Sequence, residues 1–330
     1  MKKILALLFF VTSIVNAQYT ITGTITPSLE GDWVILYKIE GARQISVANT
    51  KINIDSLTID GKKQAIGSFT FTLPKNAASG SYRATYRLKG AGFVDFIFNK
   101  EDVSFVFNPD YPDQTIVFSK SKENKIYKEY LETIAKQQQK LDSLQITALR
   151  NKNLDLSKEY KRTLNTINTI QNKYLKATKD LYVNSFIKAT LRANPLEIKK
   201  SPKEYMSNMT ATFFDNMDFS DKALINSSFL IDRITDYVFY INYSEDKSRQ
   251  QHLFKNSIEK ILPKISNVAF KKDVIEFLIT QFESTKNIEL IDYLFNNHYS
   301  KLPTSLQNRE FIKEKTAISA TEIGRIAPNF

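Results

Sequence analysis

The sequence predicts an α+β protein with two segregated domains, an all-β sandwich followed by an all-α domain that contains a long helical hairpin. Eight of the nine glycines lie between Gly23 and Gly92, and the ninth is Gly324. Glycine suits tight turns and destabilises helix interiors by about 1 kcal/mol, so the chain changes from turn-rich to helix-rich. Alternating apolar residues before residue 118, and apolar steps of three and four after residue 119, support the same division.

Strand signals fill the region from Gln18 to about Phe118. Turn signals such as Asp60-Gly61 and Asn108-Pro109 separate segments that are β-branched, aromatic or alternating. The expected strands are residues 19–25, 33–37, 68–73, 82–88, 93–98 and 103–107. Short strands at this spacing favour a β-sandwich, and a closed barrel is the structural alternative.

The region after Ser119 has the periodicity of helices. Apolar residues such as Tyr127, Leu131 and Leu141 recur on one face up to a break at Asn151-Lys152-Asn153. A second helix is expected to run from Leu156 to near Asn194-Pro195, because proline disfavours helix in the residue before it. Two antiparallel helices of about 30 residues would each be about 45 Å long. Shorter helices are expected at 203–215, 221–243, 245–262, 267–284 and 287–298, with Asp221, Asn267 and Asn287 as N-caps.

The first residues are typical of a secretory signal peptide. Lys2 and Lys3 precede an almost wholly apolar run over residues 4–15, and Ala17 is a small residue at the expected cleavage position. A membrane-spanning helix needs about 20 apolar residues, which this run does not reach. We therefore expect cleavage after Ala17 and a mature chain in the periplasm or an equivalent exported compartment.

The positive charge is concentrated in the predicted hairpin. The net charge of the chain is +11, and residues 120–200 contain 18 lysines and arginines against 8 aspartates and glutamates. A basic surface of this kind can contact an acidic partner or a membrane surface. A solvated, lysine-rich helix face is the interpretation we favour. Nucleic acid is not an expected partner, because the chain is predicted to be exported and contains no nucleic-acid-binding motif.

No residue pattern predicts a catalytic, cofactor-binding or metal-binding site. The chain has no cysteine, and its two histidines, His252 and His298, lie singly in helical segments. Neither histidine has the neighbouring nucleophile and orienting group that a catalytic triad requires. Phosphate-binding glycine loops are absent from the sequence, and Gly90-Ala91-Gly92 is expected to be a turn between strands.

Acidic residues give two weaker possibilities. Asp215, Asp218 and Asp221 fall at steps of three, whereas the calcium loop of an EF-hand needs steps of two and a glycine at its sixth position. We therefore expect a loop in which Asp221 caps the next helix. A hydrolase that uses a pair of carboxylates remains an alternative, because sequence spacing does not give the separation of such a pair in the fold.

Three groups of segments carry a family resemblance. They are residues 19–25 with 67–71 and 81–83, residues 212–221 with 226–230, and the ending Ile-Gly-Arg-Ile-Ala-Pro-Asn-Phe at 323–330. In this order they resemble exported bacterial thioredoxin-like proteins of the redoxin and thiol:disulfide interchange type. Those proteins carry an N-terminal β domain of unknown function and a helical insert before the thioredoxin-like domain.

The resemblance implies that the redox chemistry belongs to a thioredoxin-like domain after the Ala-Pro-x-Phe segment. That domain would bring a Cys-x-x-Cys pair, whose thiolate attacks disulfides. No catalytic residue can be carried over to this chain, because Gly324, Ala327, Pro328 and Phe330 correspond to a structural opening strand. The alternative is that this segment is a short docking strand of the helical domain.

Two functional hypotheses follow from these observations. The first is a signal peptide at 1–17, a β domain at 18–118, a helical domain at 119–312, and a linker with the start of a truncated thioredoxin-like domain at 313–330. In that case the chain is not itself an enzyme, and it positions the redox domain or selects protein partners. The second hypothesis is a complete exported binding or scaffold protein, whose contact surface is the basic hairpin or the aromatic β domain.

Overall fold

Strands occupy the first part of the chain and helices occupy the rest, as the sequence predicts. The computed structural model describes residues 18–28, 31, 33–59, 61–87 and 91–320. The predicted signal peptide and the Gly-x-x-Ala-Pro-x-Phe segment therefore lie outside the described residues.

Nine strands of the described residues form two sheets. The five-stranded sheet has the order β4-β5-β1-β8-β9, and the four-stranded sheet has the order β3-β2-β6-β7. Strand β1 pairs with β8 in parallel and with β5 in antiparallel orientation. The strands are β1 (Gln18–Ile25), β2 (Trp33–Glu40), β3 (Arg43–Lys51), β4 (Asn53–Ile59), β5 (Lys62–Pro74), β6 (Gly80–Arg87), β7 (Ala91–Phe98), β8 (Val103–Phe107) and β9 (Val117–Lys120).

The two sheets share one apolar core. On β6 the side chains of Tyr82, Ala84 and Tyr86 are buried, and the residues between them point the other way, as the alternation in the sequence predicts. Phe96 of β7 packs against Phe105 of β8 with ring centroids 5.6 Å apart, which links the two sheets. Because the described strands fall into two separate sheets, the arrangement is a sandwich and not the closed barrel that we considered as the alternative.

Eleven α-helices lie in the part of the chain that the structure describes. A π-helical turn, Asp236–Ile241, follows the seventh, and short 3₁₀ turns flank the later ones. The α-helices are α1 (Pro112–Thr115), α2 (Lys122–Arg150), α3 (Ser157–Ala177), α4 (Asn184–Ala189), α5 (Pro202–Thr212), α6 (Lys222–Ile225), α7 (Phe229–Thr235), α8 (Lys247–Ile261), α9 (Val268–Ser284), α10 (Ile288–Asn297) and α11 (Arg309–Ala320).

Helices α2 and α3 form the predicted hairpin. The rings of Tyr130 and Tyr174 lie 5.3 Å apart, and nearer the turn Lys140 pairs with Glu159 at 2.9 Å, so the helices are antiparallel. The predicted length of the second helix was wrong, because α3 ends at Ala177 and not near Asn194-Pro195.

The early end of α3 has a tertiary cause. The buried Thr178 hydroxyl donates to the Tyr174 carbonyl and accepts from the Asn184 side chain. The Glu123 carboxylate on α2 then accepts the backbone N–H groups of Tyr182 and Val183 at 3.0 and 2.8 Å. These bonds satisfy backbone groups outside the helix, which the periodicity of the sequence does not reveal.

The single helix predicted over 221–243 was also wrong. Asp221 does cap a helix, α6, by accepting from the Ala223 N–H at 2.8 Å, but this helix ends at Ile225. The carbonyls of Ile225 and Asn226 accept hydrogen bonds from the backbone of Gly41 and Ser81 in the strand region. These carbonyls therefore accept hydrogen bonds from the strand region instead of from the N–H groups of a continuing helix. The predicted N-caps Asn267 and Asn287 are confirmed, since each side chain accepts from the N–H three residues later.

Candidate functional site

The N-terminus of α2 is fixed on the loop between β7 and β8. The Ser121 side chain caps the helix by accepting from the Asn124 N–H at 3.1 Å. The carboxylate of Glu101, in the β7–β8 loop, accepts from the N–H groups of Lys122 and Glu123 at 3.0 and 3.2 Å. A carboxylate is favourable here, because the first N–H groups of a helix have no partner within it. Helix α2 therefore starts at a defined position beside β7.

Asn124 pairs with the open edge of the four-stranded sheet, which β7 forms. The side-chain amide of Asn124 accepts from the Ile97 N–H at 2.8 Å and donates to the Ile97 carbonyl at 2.6 Å. Asn124 is buried, and Ile97 belongs to the apolar core of the helices. The Asn124 side chain thus makes the two hydrogen bonds to Ile97 that a neighbouring strand would otherwise make.

Glu123 joins the strands to the helices a second time. Its buried carboxylate accepts from the Asn99 side chain at 2.8 Å and from the two backbone N–H groups of Tyr182 and Val183. Three donors on a carboxylate compensate for its removal from water. The segment that leads into α4, which carries Phe186, is thereby held against α2.

The contacts of Glu101, Glu123 and Asn124 form a joint between the strands and the helices. A groove of about 530 Å³ lies beside this joint, between β7, α2 and α7, and residues of α1 and β9 also line it. Its volume is in the usual range for a ligand site. The apolar lining includes Ile97, Ile116, Phe118, Tyr127, Leu131, Ala135, Phe186 and Phe229, and the charged lining consists of Asp95, Asp113, Lys128, Glu132 and Asp232.

Aromatic rings form one wall of the groove. Phe186 contacts Tyr127 and Phe229, with ring centroids 5.9 Å apart in both pairs. Burial raises the pKa of the Tyr127 hydroxyl, so this residue acts as an apolar, neutral side chain. Leu131 is 38 % exposed although its position in the periodic pattern of α2 predicts burial, so an apolar side chain is open to solvent here.

Carboxylates outnumber cations along the groove. Asp95 is held by Arg83, whose Nε and one terminal nitrogen each donate to it at 2.7 Å, and Glu132 pairs with Lys128 at 3.0 Å. Desolvation raises the pKa of Asp232, and the nearby Asp95 carboxylate adds to the effect. The groove thus combines an apolar wall with a rim in which carboxylates outnumber cations.

The two histidines are not part of the groove. His298 Nε2 lies 2.8 Å from Glu259 Oε1, and the Tyr293 hydroxyl donates to the same oxygen at 2.7 Å. The hydrogen bond from Tyr293 lowers the pKa of Glu259, and His298 lowers it further. His252 is exposed on α8.

The acidic loop at 215–221 is organised by hydrogen bonds to its own chain. Asp218 accepts from the N–H and the hydroxyl of Ser220, which lowers its pKa, and Asp221 caps α6. Among the residues that the structure describes, no group of histidine and carboxylate side chains is placed to hold a metal ion.

Some of the positive charge of residues 120–200 is paired locally. Lys140, Lys161 and Arg192 pair with Glu159, Glu197 and Asp142. Lys158, Lys161 and Arg162 line a shallow, open depression on α3. These pairs reduce the free positive charge that the composition of residues 120–200 indicates.

Sequence reasoning did not identify the groove. Asp95, Leu131 and Phe229 come from a strand and two helices far apart in the chain, and no short motif links them. The periodic pattern of α2 included two residues of the groove lining, Tyr127 and Leu131, but assigned both to a buried helix face.

Comparison with known proteins finds no matching family model, no matching curated protein and no matching solved structure. No helix among the described residues has the length and apolar character needed to cross a membrane.

Proposed function

We propose that this chain is an exported, non-catalytic protein-recognition region of the thioredoxin-like thiol:disulfide class. In this proposal a β-sandwich domain and a helical domain meet at the groove, which selects the partner protein. The observation that carries the proposal is the groove itself, which joins an open apolar wall to a carboxylate-rich rim. Apolar surface contributes affinity, and the charged rim contributes specificity and orientation.

Recognition explains the groove better than catalysis does. The sequence has no cysteine for thiol chemistry. Both oxygens of Asp95 already accept hydrogen bonds from Arg83, so this carboxylate is poorly suited to transfer a proton to a substrate. A hydrolase with paired carboxylates would need one acid and one base that are both available to the substrate.

The basic hairpin supports a second candidate, an exported scaffold protein that contacts an acidic partner or a membrane surface. The observation in its favour is the depression lined by Lys158, Lys161 and Arg162. Its weakness is that Lys161 is engaged by Glu197 at 3.3 Å. The groove is favoured because its lining is mainly apolar, whereas the lining of the hairpin depression is mainly polar and basic.

A peptide display experiment separates the two candidates. Random peptides are selected on the immobilised chain, and the enriched peptides are then tested on two variants that alter exposed positions. Leu131→Arg fills the groove, and the matched double variant Lys158→Glu/Arg162→Glu reverses the charge on the hairpin. We expect enriched peptides to bind Leu131→Arg at least about tenfold more weakly, and to bind the hairpin variant with unchanged affinity.

Three outcomes contradict the proposal. Enriched peptides that lose binding only to the hairpin variant favour the scaffold function. Failure to enrich any peptide removes the basis for a recognition groove. Reduction of a disulfide substrate by the purified chain, measured as turnover, contradicts the assignment as non-catalytic.

A further inference from the structure

The open edge of β7 indicates how a partner would lie in the groove. We infer that the groove binds an extended, basic peptide segment of a partner protein as an added β-strand on β7. This inference rests on the proposed recognition function and specifies the chemistry of its ligand. It follows from the direction of the backbone groups on β7, the position of α2 and the charge of the rim.

The backbone of β7 alternates in direction. The outward-pointing N–H and C=O groups of Ile97 are used by Asn124, while β6 pairs with β7 on the other side in the register Ser81↔Ile97 and Arg83↔Asp95. In an antiparallel ladder, residues two apart point their backbone groups the same way. The N–H and C=O groups of Asp95 and Phe93 therefore point away from β6 as well, and Asp95 lines the groove.

Helix α1 lies beside this side of β7, and the groove is the space between β7, α1 and α2. Within the described residues, no hydrogen bond reaches the backbone of Asp95 or Phe93 from the open side of β7. An unpaired strand edge is a template for another extended chain, and main-chain pairing of this kind supplies affinity without sequence requirements. Asn124 ends the free edge at Ile97, so it fixes where an added strand must stop.

The walls define which side chains an added strand can carry. Along β7, Phe96 points into the sandwich core, while Asp95 and Ile97 point towards the helices. An added strand alternates in the same way, so its side chains face the Phe118 side and the Asp232 side in turn. Apolar residues suit the first side, and Lys or Arg suits the second.

The charged residues that line the groove, four carboxylates and Lys128, favour a basic over an acidic side chain on the peptide. Asp95 and Glu132 are paired with Arg83 and Lys128. Asp113 and Asp232 line the groove without an ion pair to a described residue, but Asp232 accepts a hydrogen bond from Ser228, and the charge of Arg83 acts on both carboxylates. A lysine or arginine of the peptide would complete their pairing, whereas a glutamate there would meet like charge. The favoured ligand is therefore an extended segment that alternates basic and apolar residues.

The test uses the wild-type chain and blocked hexapeptides that alternate Lys or Arg with Val, Leu or Phe, with binding measured by isothermal titration. Each peptide that binds is remade with N-methyl groups at its odd or at its even positions. Pairing with β7 uses the N–H of every second residue, so we expect one N-methyl set to bind at least about tenfold more weakly and the other to bind unchanged. Replacement of Lys and Arg by Glu should weaken binding by a similar factor.

Variants locate the binding to the groove. Leu131→Arg and Ala135→Arg, both at exposed positions of α2, should each abolish peptide binding. Because the two variants are independent, a folding defect in one of them does not invalidate the test. Asp232→Asn should reduce the preference for basic over neutral peptides. Lys158→Glu, which lies far from the groove, should leave this preference unchanged.

The outcomes distinguish this inference from the function on which it rests. If the groove variants abolish binding but neither N-methyl set weakens it, strand addition on β7 is wrong, and the proposed recognition function is still supported. Failure of all peptides of this class to bind at millimolar concentration overturns the inference, and failure of display selection as well overturns the function. Concentration-dependent dimerisation that Leu131→Arg abolishes, measured by sedimentation, would show a second copy as the occupant and also overturn the inference.

Discussion

Glu123 is the single residue that connects most parts of the joint. Its carboxylate accepts from Asn99 in the strand region and from two backbone N–H groups just before α4. A glutamine at this position has one oxygen instead of two, so at least one buried donor loses its acceptor. Buried donors without a partner cost about 1 to 3 kcal/mol, and hydrogen bonds to charged groups are at the upper end.

We therefore expect Glu123→Gln to lower the free energy of unfolding by about 2 kcal/mol. The measurement is the urea midpoint followed by circular dichroism. Glu132→Gln is the matched control, because Glu132 lies on the same helix with its side chain 58 % exposed. A change for Glu123→Gln no larger than that of the control would show that the carboxylate does not hold the joint.

Asn124 gives a second prediction at the residue scale. Asn124→Ala removes both hydrogen bonds to the backbone of Ile97 and leaves the edge of β7 open over its whole length. We expect the Ile97 amide to exchange with solvent at least about tenfold faster, because exchange follows local opening. Hydrogen–deuterium exchange read by NMR checks this. The amide of Phe96, whose backbone pairs with β6, serves as the internal control, and equal acceleration of both would indicate general destabilisation instead.

At the scale of elements, alternation and capping could be read from the sequence. Strands such as β6 have one buried face and a strict period of two, and the caps Asp221, Asn267 and Asn287 precede helices as expected. The strands β3 and β4 were not predicted. Their apolar side chains, Ile45 and Ile54 among them, are largely exposed, so no buried face marks them.

Elements that depend on distant partners could not be predicted from local patterns. The end of α3 depends on Glu123, about 60 residues away in the chain, and the end of α6 depends on backbone donors at Gly41 and Ser81. Tertiary contacts of this kind override helix propensity. The groove is hidden for the same reason, since its strand edge and its aromatic wall come together only in the fold.

At the scale of the whole molecule, the tyrosines set the response to alkaline pH. Desolvation by burial raises the pKa of Tyr82 and Tyr86 to about 12, above the ordinary value of about 10 in an unfolded chain. Between these values the unfolded chain loses protons that the folded chain keeps. The free energy of unfolding therefore falls as the pH rises through this window.

Urea midpoints measured from pH 9 to pH 12, together with absorbance at 295 nm, check this dependence. The double variant Tyr82→Phe/Tyr86→Phe is the control, because it should reduce the fall in midpoint above pH 10; the rest of the fall comes from other tyrosines with a raised pKa, such as Tyr160 and Tyr182. Tyrosine ionisation that is complete near pH 10 while the fold is intact would contradict burial of these hydroxyls.

The positive charge and the apolar groove lie on different parts of the molecule. Much of the positive charge lies on the α2–α3 hairpin, where Lys140 and Lys161 are in local ion pairs. The negative groove lies at the other end of α2, beside β7. Net charge alone therefore points to an acidic partner, whereas the local charge of the groove points to a basic one.

The central claim is that the edge of β7 in the groove receives a strand from a partner. The most direct measurement is NMR hydrogen–deuterium exchange of the Phe93 and Asp95 amides, with and without a saturating peptide of the alternating basic and apolar class. We expect both amides to become protected on binding, while the Val94 and Phe96 amides, whose backbones pair with β6, change little. Unchanged exchange at Phe93 and Asp95, with protection appearing instead on α3, would contradict it.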